Sequence, residues 1–228
     1  MLSRGGVDEV AIDARVITRK GAERIHRFAF EMSKRRNKGA PVDGKKRVTC
    51  IDKSNVRAGC RLFRAIYNEV AAGYPGIEKD YAYVDAFTQW LIRSPESYDV
   101  AVAPNMLGDI VTDLAAVLQG GMGMAASGNV GDKHAMFEPI HGSAPKHYGQ
   151  GKSNPLATID SVRLMLDHIA HKHNDKRAAE ASLAVEASIA AVVRDGKTLT
   201  YDLGGNASTK AVGDAVVAAL RKTVTATR

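Results

Sequence analysis

The stretch from Asn105 to Pro155 reads NMLGDIVTDLAAVLQGGMGMAASGNVGDKHAMFEPIHGSAPKHYGQGKSNP. It joins a carboxylate pair at helical spacing to a glycine-rich loop. Ile110, Val111, Leu114, Val117 and Leu118 recur at the period of a helix. Asp109 and Asp113 then project from one face, one turn above the other. Two like charges so placed cost about 0.2–0.5 kcal/mol in an isolated helix. A hard divalent cation would offset that. Carboxylate oxygens without nearby Cys or His suit Mg²⁺ or Mn²⁺ better than zinc. A plainer account sets both carboxylates near the helix N-terminus, where the macrodipole favours negative charge. The spacing alone leaves both accounts open.

The loop follows. Phe137-Glu138-Pro139 precedes His141-Gly142-Ser143-Ala144-Pro145. Gly142, Gly149 and Gly151 let backbone N–H groups approach an anion, and Ser143 adds a hydroxyl donor. Asn154 reads as an N-cap and Pro155 as the first residue of the next helix. The pattern is neither a GxGxxG fingerprint nor a Walker A loop. Its composition by itself also fits an ordinary cluster of turns.

Upstream and downstream, helical and strand patterns alternate. Residues 19–38 read as a helix with Ile25, Phe28, Ala29 and Met32 on its inner face and Gly39 as its stop. Residues 47–51 read as a strand. A helix follows to residue 72, carrying Leu62, Phe63, Ile66 and Val70. Then come a strand at 81–84, a helix at 86–93 and a buried strand at 98–103. Helices at 155–171, 175–194 and 208–222 complete the chain. Such alternation predicts α/β architecture.

The 228 residues, 45% of them hydrophobic, suffice for one large or two modest domains. No apolar run approaches the ~20 residues of a membrane span, so no membrane partner is expected. The opening MLSRGGVDEVAID carries no hydrophobic signal region. Cys50 and Cys60 form no CxxC and are too few for a disulfide framework, which suits a reducing cytoplasm. The net charge of +7 raises the question of nucleic acid. The basic groups at 19–20, 34–36, 45–47 and 221–222 have no interleaved aromatics. No zinc or RNA-binding motif accompanies them. Solvated helix ends with an attraction for small anions, and no nucleic-acid partner, are the expectation.

Six pieces now line up: Asp52-Lys53-Ser54-Asn55, Tyr83-Val84-Asp85-Ala86, Asn105 to Asp113, Phe137 to Pro145, Asn154-Pro155 and Asp202-Leu203-Gly204-Gly205. In order and spacing the chain, from about residue 10 to about 220, resembles the β-decarboxylating dehydrogenases of the isocitrate/isopropylmalate type. The resemblance implies that family's two-domain α/β fold. An inner, dimer-forming and metal-binding domain would span 1–119. The C-terminal part of an outer, cofactor-binding domain would span 120–228, with the rest of the outer domain missing. Family members begin with a GDGIGPE-like loop and carry substrate arginines and a catalytic tyrosine further on. None is found here, and the first tyrosine is Tyr67. The chain therefore reads as amino-terminally truncated, expected to dimerise yet not to turn over alone.

The resemblance also implies a reaction and its residues. The reaction is NAD(P)- and Mg²⁺/Mn²⁺-dependent oxidative decarboxylation of a 2-hydroxy acid with a β-carboxylate. Asp109 and Asp113 would bind the metal in cis, and Asp85 would complete the site from the other subunit of a homodimer. Lys53, also lent across the dimer, would move the proton of the C2 hydroxyl. Asn55 would orient the nicotinamide. Glu138, His141, Gly142, Ser143, Ala144 and Asn154 match cofactor positions. Lys146 stands where NAD-specific members carry Asp, and Tyr201 matches an NADP-type position. Gly204-Gly205 resembles the NAD-type tail. On balance the reading leans to NADP. Apart from the resemblance, Asp85 reads as an N-cap, Lys53 as a surface lysine and His141 as a satisfied loop histidine. The alternative to the enzyme is a non-catalytic dimerising remnant or regulatory subunit.

Overall fold

The computed structural model describes residues 11–226. The first ten residues, on which most of the signal-sequence reading rests, lie outside the described residues. The chain divides into two compact units, residues 1–114 and 115–228.

In the first unit, α1 (Arg19–Arg36), β1 (Arg47–Asp52), α2 (Ala58–Ala71), β2 (Glu78–Tyr83), α3 (Val84–Arg93), β3 (Val100–Val102) and α4 (Asn105–Leu118) follow one another; α4 runs across the division. The three strands form a parallel sheet in the order β2-β1-β3. Five of the six β1 residues are buried, as a central strand covered on both faces requires. Phe30, Val48, Cys50, Phe63, Ile66, Tyr67, Val100 and Val102 form its core. The strand expected at 81–84 begins three residues earlier, and the one expected at 98–103 shortens to Val100–Val102.

Two expectations for α1 are corrected. Its buried face is Ala22, His26, Ala29, Phe30 and Ser33, and Ile25 points outward. Polar side chains occupy that face because each finds a partner. His26 Nε2 lies 3.0 Å from the Phe63 carbonyl, and Ser33 donates to Asp99 at 2.7 Å. The helix stop is Asn37 in the left-handed conformation, its N–H returned to Ser33. Gly39 serves the turn that follows. At φ +71°, an added Cβ would stand 2.2 Å from the Gly44 carbonyl oxygen.

His26 gives a pH prediction. Burial, partly opposed by the Phe63 hydrogen bond, lowers its pKa from 6.5 to about 4. The unfolded chain then binds more protons between those values, so stability falls as pH drops from about 6.5 towards 4. The full loss is about 3 kcal/mol, from 1.36 kcal/mol per unit. Urea melts of the wild type and His26→Leu should converge with acidification as the wild type loses stability; parallel pH profiles would contradict this.

The second unit holds a hairpin, β4 (Ala126–Val130) and β5 (Ala135–Pro139), and three helices, α5 (Leu156–His173), α6 (Lys176–Asp195) and α7 (Thr209–Ala226). The helices match the sequence reading closely; the hairpin was not anticipated. α5 packs on the hairpin and on α6, and α6 on α7, around Leu156, Ile189, Val192, Val212 and Val216. Asp175 caps α6 by accepting from the N–H groups of Arg177 and Ala178.

Candidate active site

Parallel strands deliver successive loops to one edge of a sheet, and ligands of open α/β sheets gather at the carboxyl ends. Here Lys53 follows β1, Asp85 lies two residues beyond β2, and α4 begins three residues beyond β3. Asp52 pairs in register with Tyr83, so the two loops leave the sheet side by side. Lys53 Nζ donates to Asp85 Oδ1 at 2.6 Å, and the ammonium lies 5.7 Å from the Tyr83 ring centre. That hydrogen bond, helped by backbone N–H groups of the first turn of α3, holds the Asp85 carboxyl below the usual carboxylate range. Asp85 is inside the helix rather than its N-cap, which is Tyr83. Asn55 is exposed in the turn that follows Lys53.

The helix-terminus account of Asp109 and Asp113 is overturned. The first turn of α4 contains no acidic residue; the pair falls in later turns, where the macrodipole has little effect. Both are exposed. Asp109 accepts a hydrogen bond from Asn105 Nδ2 at 3.1 Å, and no cation pairs with either among the described residues. Two uncompensated carboxylates at hard-ligand spacing fit a divalent cation in chemistry. Within one chain, among the described residues, no third His, Cys, Asp or Glu joins them.

The second unit carries the loop residues. Glu138 lies on β5 and accepts from Asn129 Nδ2 at 3.1 Å. His141 Nδ1 lies 2.9 Å from the Gly142 carbonyl. Ala144 adopts the left-handed conformation at φ 46°, uncommon for a residue with a Cβ. Gly142, Ser143 and Lys146 are exposed. Asn154 is buried, and its amide oxygen accepts from Leu156 N–H at 2.9 Å. It thus caps α5 through its side chain, although the backbone N-cap is Pro155, one residue later than expected. Tyr201 is half-exposed, with the His147 ring 5.9 Å away and Lys152 Nζ 5.4 Å from its centre. An aromatic face flanked by an imidazole and a lysine ammonium suits an anionic, aromatic ligand.

Four residues beyond the candidates organise these places. Asp52, fully buried, accepts two hydrogen bonds from Arg64 at 2.7 and 3.0 Å. In the second unit, Asp202 accepts from Asn154 Nδ2 at 2.9 Å. Gly123 permits that approach: a Cβ there would stand 2.6 Å from Asp202 Oδ2. Asp52 and Asp202 sit inside the quoted motifs; Arg64 and Gly123 carry no sequence signal.

A family model described as isocitrate/isopropylmalate dehydrogenase matches residues 2–216. The chain is 44% identical over 216 residues to homoisocitrate dehydrogenase of Methanocaldococcus jannaschii, covering 94% of this chain and 58% of that protein. It is 42% identical to 3-isopropylmalate dehydrogenase of Archaeoglobus fulgidus, over 94% of this chain and 62% of the relative. Among solved structures, isocitrate dehydrogenase of Methylococcus capsulatus superposes with a TM-score of 0.80 at 37% identity, over 95% of this chain and 61% of the other. The chain thus spans about three fifths of the length of the relatives it matches.

Proposed function

The chain belongs to the isocitrate/isopropylmalate dehydrogenase family, and on that footing we propose that it serves in oxidative decarboxylation of a 2-hydroxy acid with a β-carboxylate, of the 3-isopropylmalate or isocitrate type, with NAD(P) and Mg²⁺ or Mn²⁺. The observation that carries the reading is the carboxyl edge of the parallel sheet, which presents the paired Lys53 and Asp85 and leads into the helix of Asp109 and Asp113. We place the protein in the cytoplasm as a homodimer. Among the described residues one chain brings only a carboxylate pair together on α4, so Asp85 and Lys53 of the second copy would complete each site.

In this reading Asp109, Asp113 and Asp85 would hold the cation. When bound, the cation supplies Lewis-acid charge at substrate oxygens and the nicotinamide accepts a hydride. Lys53 takes the proton of the C2 hydroxyl, and Asn55 orients the nicotinamide end. Glu138, His141, Gly142, Ser143, Ala144 and Asn154 would hold the cofactor. Lys146 and Tyr201 would meet its adenosine phosphate, which favours NADP.

Purified protein with Mg²⁺, either nicotinamide cofactor and isocitrate, isopropylmalate, homoisocitrate, tartrate or malate in turn tests the reaction. Metal-dependent reduction with one of them supports it. No reduction with any favours the second reading, a non-catalytic dimerising or regulatory subunit.

The NADP preference has its own test. Lys146→Asp replaces a phosphate partner by an acceptor for ribose hydroxyls. The ratio of NADP to NAD affinity should fall by about 10- to 100-fold, the equivalent of a charge-assisted hydrogen bond. Calorimetric titrations at fixed ionic strength measure it. A wild type that already prefers NAD would reject the assignment of Lys146.

A further inference from the structure

We infer that Arg64 is a positioning residue that sets Lys53 against Asp85; the inference rests on the assignment of Lys53 to proton transfer. Arg64 reaches from α2 to the ends of two neighbouring strands. Its Nε donates to Asp52 Oδ2 at 2.7 Å and its Nη2 to Oδ1 at 3.0 Å. The same Oδ1 accepts from Ser54 N–H at 2.8 Å, which ties down the turn that begins at Lys53. The guanidinium also lies 5.1 Å from the Tyr81 ring centre and 5.3 Å from that of Tyr83. Tyr81 and Tyr83, two apart on β2, share a face.

One planar cation therefore grips the last residue of β1 and the last residue of β2, which are register partners. Lys53 is the next residue after the first, and Asp85 is two beyond the second. A buried ion pair is weak evidence for stability, since desolvation offsets its attraction; its well-attested use is to fix geometry. A flexible lysine at 64 would keep the charge but lose the two-pronged bond and the stacking.

The test uses Arg64→Lys, which preserves charge and leaves the Tyr83 ring beside Lys53 in place, and Tyr83→Ala, which removes a ring that Arg64 and Lys53 share without touching Asp52. Acetylation of each lysine by acetic anhydride is followed at one pH by peptide mass spectrometry, with exposed Lys79 and Lys146 as internal references. Both variants should raise acetylation of Lys53 about two- to fivefold relative to the references, the range that a partly exposed ion pair can supply. Asp85→Asn should raise it likewise, and Tyr83→Phe should not. Unchanged Lys53 in Arg64→Lys, alongside a rise in Asp85→Asn, would overturn the inference and leave Arg64 a structural residue. A uniform rise at all lysines would overturn it too, as general loosening. Acetylation needs no turnover, so failure here is distinct from failure of the dehydrogenase reading, which shows as absent nicotinamide reduction.

Discussion

Asn in place of Asp109 or Asp113 is expected to weaken Mn²⁺ binding by more than the roughly 10–100-fold that changes around a metal ligand produce. Each substitution keeps the side-chain shape and removes one anionic oxygen. The two residues face the same side of α4, exposed and without a cationic partner among the described residues. The cost of holding them together is a repulsion that only a bound cation relieves. Without metal, therefore, either variant should be slightly more stable than the wild type, by about 0.2–0.5 kcal/mol. Mn²⁺ titration followed by paramagnetic broadening gives the affinity, and thermal melts with and without Mn²⁺ give the opposing stability effects. Asp214→Asn, an exposed carboxylate on α7 paired with Lys210, is the control. Equal Mn²⁺ affinity in all four proteins would reduce Asp109 and Asp113 to solvated surface charge.

What could be read from the sequence was whatever lies close along the chain. The helices read at 155–171 and 175–194 and the carboxylate spacing of α4 are local, and the fold reproduces them to within two residues. The hairpin of Ala126–Val130 and Ala135–Pro139 was missed because Gly128 and Asn129 are poor strand formers and its burial is only partial. The inner face of α1 was misjudged because His26 and Ser33 look like surface residues until Phe63 and Asp99 are brought to them. Arg64 reads as one more exposed arginine. Its role depends on the register that sets Asp52 beside Tyr83, a pairing across two strands that no spacing announces. The candidate site divides in the same way. The family motifs named Lys53, Asp85, Asp109 and Asp113, while the groups that fix Lys53 and Asn154 came only with the tertiary contacts.

On the proposed dehydrogenase reading, Lys53→Met and Lys53→Arg are both expected to lower kcat by about 10²–10⁴, the usual contribution of a positioned acid or base. The pair separates proton transfer from charge. Arginine keeps a cation that can still meet Asp85, but its guanidinium does not give up a proton in a protein. Methionine keeps the aliphatic stem and removes the charge. If Lys53 only neutralised Asp85 across the 2.6 Å contact, Arg would restore most of the rate and Met would not. If Lys53 moves the proton of the C2 hydroxyl, both variants fail alike while KM for the hydroxy acid changes little. Asp85→Asn provides the contrast. It should raise the Mn²⁺ requirement, because a carboxylate oxygen is lost, whereas neither Lys53 variant should do so. The measurement is steady-state nicotinamide reduction, with the wild type run alongside and Mn²⁺ varied. Recovery of the rate in Lys53→Arg would assign the proton to another group and leave Lys53 as the counter-charge of Asp85.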